Sequence, residues 1–93
     1  MIVSYRDKRS AEIAEGGAPK GFPPDALQSA RRKLTILNYA TSVEDLRIPP
    51  GNRLEKLKAD RDGQYSIRIN AHWRICFRWT DNGPDDVEIV DYH

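Results

Sequence analysis

Two adjoining stretches of strict alternation constrain this chain more than any other feature. In QYSIRIN, Tyr65, Ile67 and Ile69 alternate with Ser66 and Arg68; in HWRICFRW, Trp73, Ile75, Phe77 and Trp79 alternate with Arg74, Cys76 and Arg78. Period-two patterning sends successive side chains to opposite faces of a strand, so each stretch has one apolar and one polar side. Asn70-Ala71 makes a tight connection between them, and the expected unit is an antiparallel hairpin. Such a hairpin needs a partner to cover its aromatic face.

The partner is legible upstream. In DALQSARRKLTILNYA, Leu27, Ala30, Leu34 and Leu37 recur at helical spacing, while Arg31, Arg32 and Lys33 fall mostly on other faces. Pro24 suits the first helical turn, where its missing N–H is not needed. A shorter helix is expected over Ser10 to Glu15, ended by Gly16-Gly17. Ile2 to Tyr5 is a β candidate, Arg53 to Lys58 a strand, Asp60 to Gly63 a turn. Asp81-Asn82-Gly83-Pro84 is a second turn, leading into the strand VEIVDYH. The stretch SVEDLRIPPGN reads as a turn of helix followed by a loop, because Pro49-Pro50-Gly51 forbids regular structure. The fold class is therefore α+β: one or two N-terminal helices packed on one face of a four- or five-stranded, mainly antiparallel sheet. With 93 residues and neither repeats nor a linker, residues 1–93 are expected to form a single domain.

Composition narrows the class. A hydrophobic share of 39% is too rich for a disordered chain, and no apolar stretch reaches membrane-spanning length. The N-terminus turns polar after its first residues, unlike a signal peptide or anchor. The lone Cys76 cannot close an internal disulfide, which favours a reducing compartment; a cytoplasmic location is expected. The net charge of +1 conceals an uneven distribution. Residues 53–79 carry seven Lys/Arg against three acids, whereas residues 80–93 carry five acids and no Lys or Arg. A cationic middle can attract a polyanion, but the near-neutral whole argues against an indiscriminate nucleic-acid coat.

Two constellations could carry chemistry. Arg68, Arg74 and Arg78 share the polar face of the hairpin, where planar guanidiniums match phosphate oxygens. The same pattern also suits an ordinary solvated face with arginines paired to acids. The terminal Asp91-Tyr92-His93 ends an apolar strand on three groups able to hydrogen-bond and transfer protons. Asp91 and His93 share one face and Tyr92 the other, although a polar chain end would look alike. Cleaving RNA by internal attack requires a base for the 2′-OH, an acid for the leaving 5′-oxygen, and cations for the charge developing on phosphate. His93, Asp91, the arginines and Lys58 can fill those places, though a surface lysine alone is weak evidence. His72, His93 and one cysteine offer no metal-ligand spacing, and there is no glycine-rich phosphate loop. Cys76 reads as a quiet structural thiol, and Trp73 and Trp79 as core.

The segments LRIPPGNRLEKLKADRDGQYSIRIN, WRICFRW and VEIVDYH, in that order and spacing, closely resemble the HigB-type toxins of the RelE/ParE toxin–antitoxin superfamily across nearly the whole chain. The resemblance implies a RelE-like fold and a toxin that cleaves messenger RNA in the ribosomal A site through the 2′-OH, without metal or other cofactor. It places the family's catalytic lysine on Lys58, its terminal group on Asp91, Tyr92 and His93, and its W-R-I arginine on Arg74. Arg68 and Arg78 become possible helpers. Some relatives have a histidine where this chain has Glu55, whose role stays open. The implied partners are a HigA-type helix-turn-helix antitoxin, operator DNA through that antitoxin, the ribosome and messenger RNA. Two other functions are compatible with the fold: a ParE-like gyrase poison, which would lack the catalytic terminus, and a non-catalytic antitoxin-binding co-repressor.

Overall fold

A computed structural model describes residues 1–91, so the expectations for Tyr92 and His93 lie outside the described residues. Helix α1 spans Lys8–Ala14 and α2 spans Pro24–Tyr39. Four strands follow: β1 Glu55–Lys56, β2 Gln64–Arg68, β3 Trp73–Thr80 and β4 Gly83–Asp91, paired antiparallel in the order β1-β2-β3-β4. The α+β expectation holds in both layers.

Helix α1 begins two residues earlier than the spacing suggests, because the Asp7 carboxylate accepts from the Ser10 amide and caps it. Gly16, at a φ of 95°, supplies the left-handed residue beyond its end. Helix α2 starts on Pro24 and buries Ala26, Ala30, Leu34 and Leu37. These side chains meet Ile67, Ile75, Phe77, Val87 and Ile89 from the sheet in one core, with Ile13 of α1 and Leu46. Arg31 leaves that stripe and donates to the carbonyls of Gly16 and Gly17, tying α2 to the end of α1.

Between α2 and the sheet the chain makes 3-10 turns at Val43–Arg47 and Pro50–Asn52, joined through a cis Ile48–Pro49 bond. The fully buried Asn52 holds this connection. Its amide donates to the carbonyls of Leu46 and Ile48, and its oxygen accepts from Lys33 of α2. A loop of Pro and Gly is thereby locked to the helix by one polar side chain.

Strand β1 is much shorter than the expected Arg53 to Lys58. Arg53 (φ 46°) and Ala59 (φ 55°) both occupy the left-handed region, which breaks the strand on either side. The turn after β3 is also tighter than expected: Thr80 pairs with Gly83, leaving Asp81-Asn82 as the loop. Gly83 is required there, since its φ is 122° and a Cβ would lie 2.3 Å from the Met1 carbonyl oxygen. The N-terminal β candidate is reduced to a single parallel bridge, Tyr5 to Val87. It still follows the outer edge of β4, through Val3 N–H to Pro84 O (2.7 Å), Val87 N–H to Ser4 O (3.0 Å) and Arg6 N–H to Val87 O (2.9 Å).

Strand β4 carries a bulge. Cys76 pairs with Glu88 but Arg78 pairs with Asp85, so Asp86 and Val87 together oppose Phe77. Asp86 absorbs the extra residue at a φ of 56°, a conformation Asp tolerates better than most side chains. Beyond it, Val87 and Ile89 point into the core with Phe77 and Ile75.

Candidate active site

The register sorts the sheet into two faces. Tyr65, Ile67, Trp73, Ile75, Phe77 and Trp79 lie toward the helices, either buried or packed against the core. Glu55, Ser66, Arg68, Arg74, Cys76, Arg78 and Glu88 occupy the other face. The three hairpin arginines are thus on one side, but they do not form a single cluster. Arg68 and Arg74 are direct cross-strand partners, while Arg78 pairs with Gln64, four residues along β3 and about 13 Å from Arg74 at backbone level.

Like charges directly opposite repel, and the two facing arginines are separated by their hydrogen bonds. Arg68 Nε donates to the Asn70 carbonyl at the hairpin end. Arg74 turns the other way: its Nε donates to Ser66 Oγ (2.9 Å) and its terminal nitrogen to the Arg53 carbonyl (2.8 Å). The same terminal nitrogen lies 3.8 Å from Glu55. Ser66 is fully buried and the Arg74 side chain only 12% exposed, so this guanidinium is fixed before any ligand arrives. The left-handed turn at Arg53 aims its carbonyl at Arg74, which gives the break in the expected strand a local use.

Arg61 was not singled out from the sequence, yet it belongs to this face. Its guanidinium donates to Gln64 Oε1 (3.0 Å) and to Glu88 (3.2 Å), and Glu88 also lies 3.8 Å from Arg6. Glu88 lies between the buried Val87 and Ile89 and so faces away from the core, and the strand register brings it to Arg61. Arg61, Glu88, Arg74 and Glu55 surround Cys76, alternating in sign. Burial pushes the Cys76 thiol up, the two guanidiniums oppose that and the two carboxylates reinforce it. Cys76 is a buried free thiol, as its mid-strand position suggested.

The remaining candidates lie at the two ends of the sheet. Lys58 follows β1, is exposed, and stands beside the end where Gln64 pairs with Arg78, itself exposed. Asp91, also exposed, pairs with Trp73 at the opposite end, on the helix-covered side; the neighbouring pair, Arg74 with Val90, presents Arg74 to the other side. From Arg78 to Trp73 is five residues, so Lys58 and Asp91 are separated by at least roughly 16 Å along the strand direction. The backbone does not bring these two together. Arg74 is the candidate that stands nearest both the centre of the polar face and the Asp91 end. No group of three or more His, Cys, Asp or Glu side chains among the described residues is arranged to hold a metal ion. No helix among them is long and apolar enough to cross a membrane.

Comparison with known proteins gives this arrangement a context. Residues 4–93 match the family model for the HigB-like toxin, described as the RelE-like toxin of the type II toxin–antitoxin system HigB. Toxin HigB-1 of Vibrio cholerae is 39% identical over 82 residues, covering 87% of this chain and 86% of the relative. Endoribonuclease HigB of Proteus vulgaris is 31% identical across the full length of both chains. An uncharacterized protein of Haemophilus influenzae is 31% identical over 77% of this chain and 71% of its own. Family match and relatives agree along the length that carries the fold and the polar face: the chain belongs to the HigB family of RelE-like toxins from type II toxin–antitoxin systems, in which the toxin is paired with an antitoxin.

Proposed function

We propose that this chain is an endoribonuclease that cuts messenger RNA in the ribosomal A site, arresting translation and growth until its antitoxin restrains it. The observation that carries the reading is the pre-set Arg74 guanidinium, locked by Ser66 and the Arg53 carbonyl on a face lined with further cations, in a chain whose full-length relative is named an endoribonuclease. Arg68, Arg74 and Arg61, with Arg78 and Lys58 beyond, form a track along the sheet suited to successive phosphates of a single strand.

In the proposed reaction the 2′-oxygen attacks the adjacent phosphorus, the P–O5′ bond breaks, and a 2′,3′-cyclic phosphate and a 5′-hydroxyl result. A base takes the 2′-OH proton and an acid returns one to the leaving 5′-oxygen. His93 is assigned to one of these transfers, with Asp91 orienting it or sharing the proton work. Arg74 stabilises the charge on the phosphate oxygens. Lys58, at the other end of the sheet from Asp91, engages a neighbouring phosphate, with Arg68 and Arg78 assisting. Tyr92 stacks on a base of the messenger. Glu55 acts as the resident counter-ion of Arg74, the place that an RNA phosphate would take.

The near-neutral charge and the acidic last segment support dependence on the ribosome, since bulk attraction for RNA is weak and the messenger must be presented. A HigA-type helix-turn-helix antitoxin is the proposed partner, linking the toxin to operator DNA, with cytoplasmic action following from the ribosomal target. Primer extension on translated messenger tests the reading. The natural chain should yield discrete A-site ends, and His93→Gln should lose them while retaining ribosome binding. Uncut messenger, or DNA breaks dependent on gyrase, would overturn it.

A further inference from the structure

The outer edge of β4 is an exposed row of backbone donors and acceptors unless something covers it. Along its first half the N-terminal segment does so, ending with Arg6 N–H on the Val87 carbonyl. At Ile89, the next residue whose backbone groups face this edge, the partners change from backbone to side chain. The Ile89 N–H donates to Ser10 Oγ (2.9 Å) and the Ile89 carbonyl accepts from Arg9 (3.0 Å). Both side chains come from α1. The Ser10 bond is buried, and Ile89 stands two residues before Asp91, where β4 ends.

Arg9 is itself held in an unusual way. Its guanidinium carbon lies 5.3 Å from the centroid of Trp73 and 5.8 Å from that of Phe22, and those two rings are 4.7 Å apart. Trp73 is the cross-strand partner of Asp91. The Arg9 Nε is buried without a hydrogen-bond partner among the described residues. Leaving that donor unpaired is costly, and the compensation comes from the ring faces and the charge-assisted bond to Ile89. A guanidinium placed so has its orientation fixed toward the end of β4.

We propose that Arg9 and Ser10 are positioning residues for Asp91 at the end of β4, a role that rests on the nuclease reading above. They grip both polar groups of Ile89, two residues before Asp91, and Arg9 also braces the ring against which Asp91 is registered. The effect on chemistry acts through the strand: neither residue touches the messenger. Losing the grip releases the end of β4, so Asp91 samples more positions and the chemical step slows while RNA binding on the opposite face persists.

The test uses Arg9→Met, Arg9→Lys and Ser10→Ala in the full chain, with the exposed Arg32→Met as control. Native-state amide exchange at Val90 should be about ten-fold faster in Arg9→Met and Ser10→Ala, the loss of one charge-assisted or buried hydrogen bond, with the Phe77 amide unchanged. Arg9→Lys, which keeps a cation able to reach the carbonyl, should recover most of that protection. In ribosome-programmed cleavage, kcat should fall about ten-fold in Arg9→Met with KM within about two-fold, and Arg9→Lys should lie between. Unchanged exchange at Val90 overturns the clamp whatever the cleavage result. Faster exchange with wild-type kcat overturns its positioning role. Failure of the natural chain to cut messenger is a failure of the nuclease reading, and is separable because exchange is measured without RNA.

Discussion

The Arg74 guanidinium lies 3.8 Å from the Glu55 carboxylate, across two strands and above the buried hydroxyl of Ser66. The two partners are unequal. Arg74 is enclosed and makes closer bonds to Ser66 and Arg53, whereas Glu55 is 54% exposed and reaches Arg74 only at the limit of ion pairing. Solvent screens such a pair to at most about 1 kcal/mol. Glu55→Gln should therefore change the cleavage rate by less than about five-fold, whereas Arg74→Ala removes a pre-set donor and should cost about a hundred-fold or more. Single-turnover cleavage of ribosome-bound messenger measures both. A Glu55→Gln loss as large as that of Arg74→Ala would make Glu55 a participant in proton transfer.

Asn52 is expected to be the most sensitive polar residue for stability. Asn52→Ala leaves the Leu46 and Ile48 carbonyls without their donor and Lys33 without its acceptor. The cost should be about 2–3 kcal/mol, read as a lower urea midpoint with an unchanged slope. A midpoint within error of the natural chain would show that the loop is held by other contacts.

Asp45 provides a pH-dependent contribution. Its carboxylate accepts from the Thr41 amide and hydroxyl and from the Ser42 amide, and these bonds hold its carboxyl below the ordinary value. A lowered folded-state value means that the stabilisation is complete above the unfolded value, about pH 4, and is lost as pH falls through the folded one. Asp45→Ala should lower the thermal midpoint at pH 7, and the difference should shrink as pH drops toward about 3. A difference independent of pH would assign the effect to packing.

Cys76 should be inert in the folded chain. It is fully buried and its thiol is pushed up, so little thiolate forms near neutrality. An aromatic disulfide reagent should react with it only in denaturant; rapid native labelling would show that the four charges above it open readily.

The hairpin and the long helix were legible because each carries its burial pattern in its own spacing. Leu34 and Leu37 face Ile67 and Ile75 without any information beyond period and polarity. What escaped the sequence depends on backbone conformation or on register. Nothing in a run such as RLEKLK announces that Arg53 will turn left-handed and cut the strand to Glu55–Lys56. The common face of Arg68, Arg74 and Arg78 followed from alternation, but their spread did not, because it depends on which residues pair across β2 and β3. Arg61 was invisible for the same reason: it lies in a turn, and only folding carries it over Glu88. The opposite placement of Arg74 and Asp91 requires both the register and the bulge.

That bulge gives the last strand a parity. If Asp86 paired regularly with Phe77 instead of bulging, Val87 would fall opposite Cys76 and Glu88 opposite Ile75, putting a carboxylate into the core and two aliphatic side chains among the arginines. The bulging of Asp86 out of the ladder therefore decides which side of the sheet every later described residue inhabits, Asp91 included. Natural variation in length is accordingly expected at the exposed Asp81-Asn82 turn only in compensating steps, and between Val87 and Asp91 not at all. In this family a gap of a single residue in that stretch would be a more telling sign of lost activity than many substitutions.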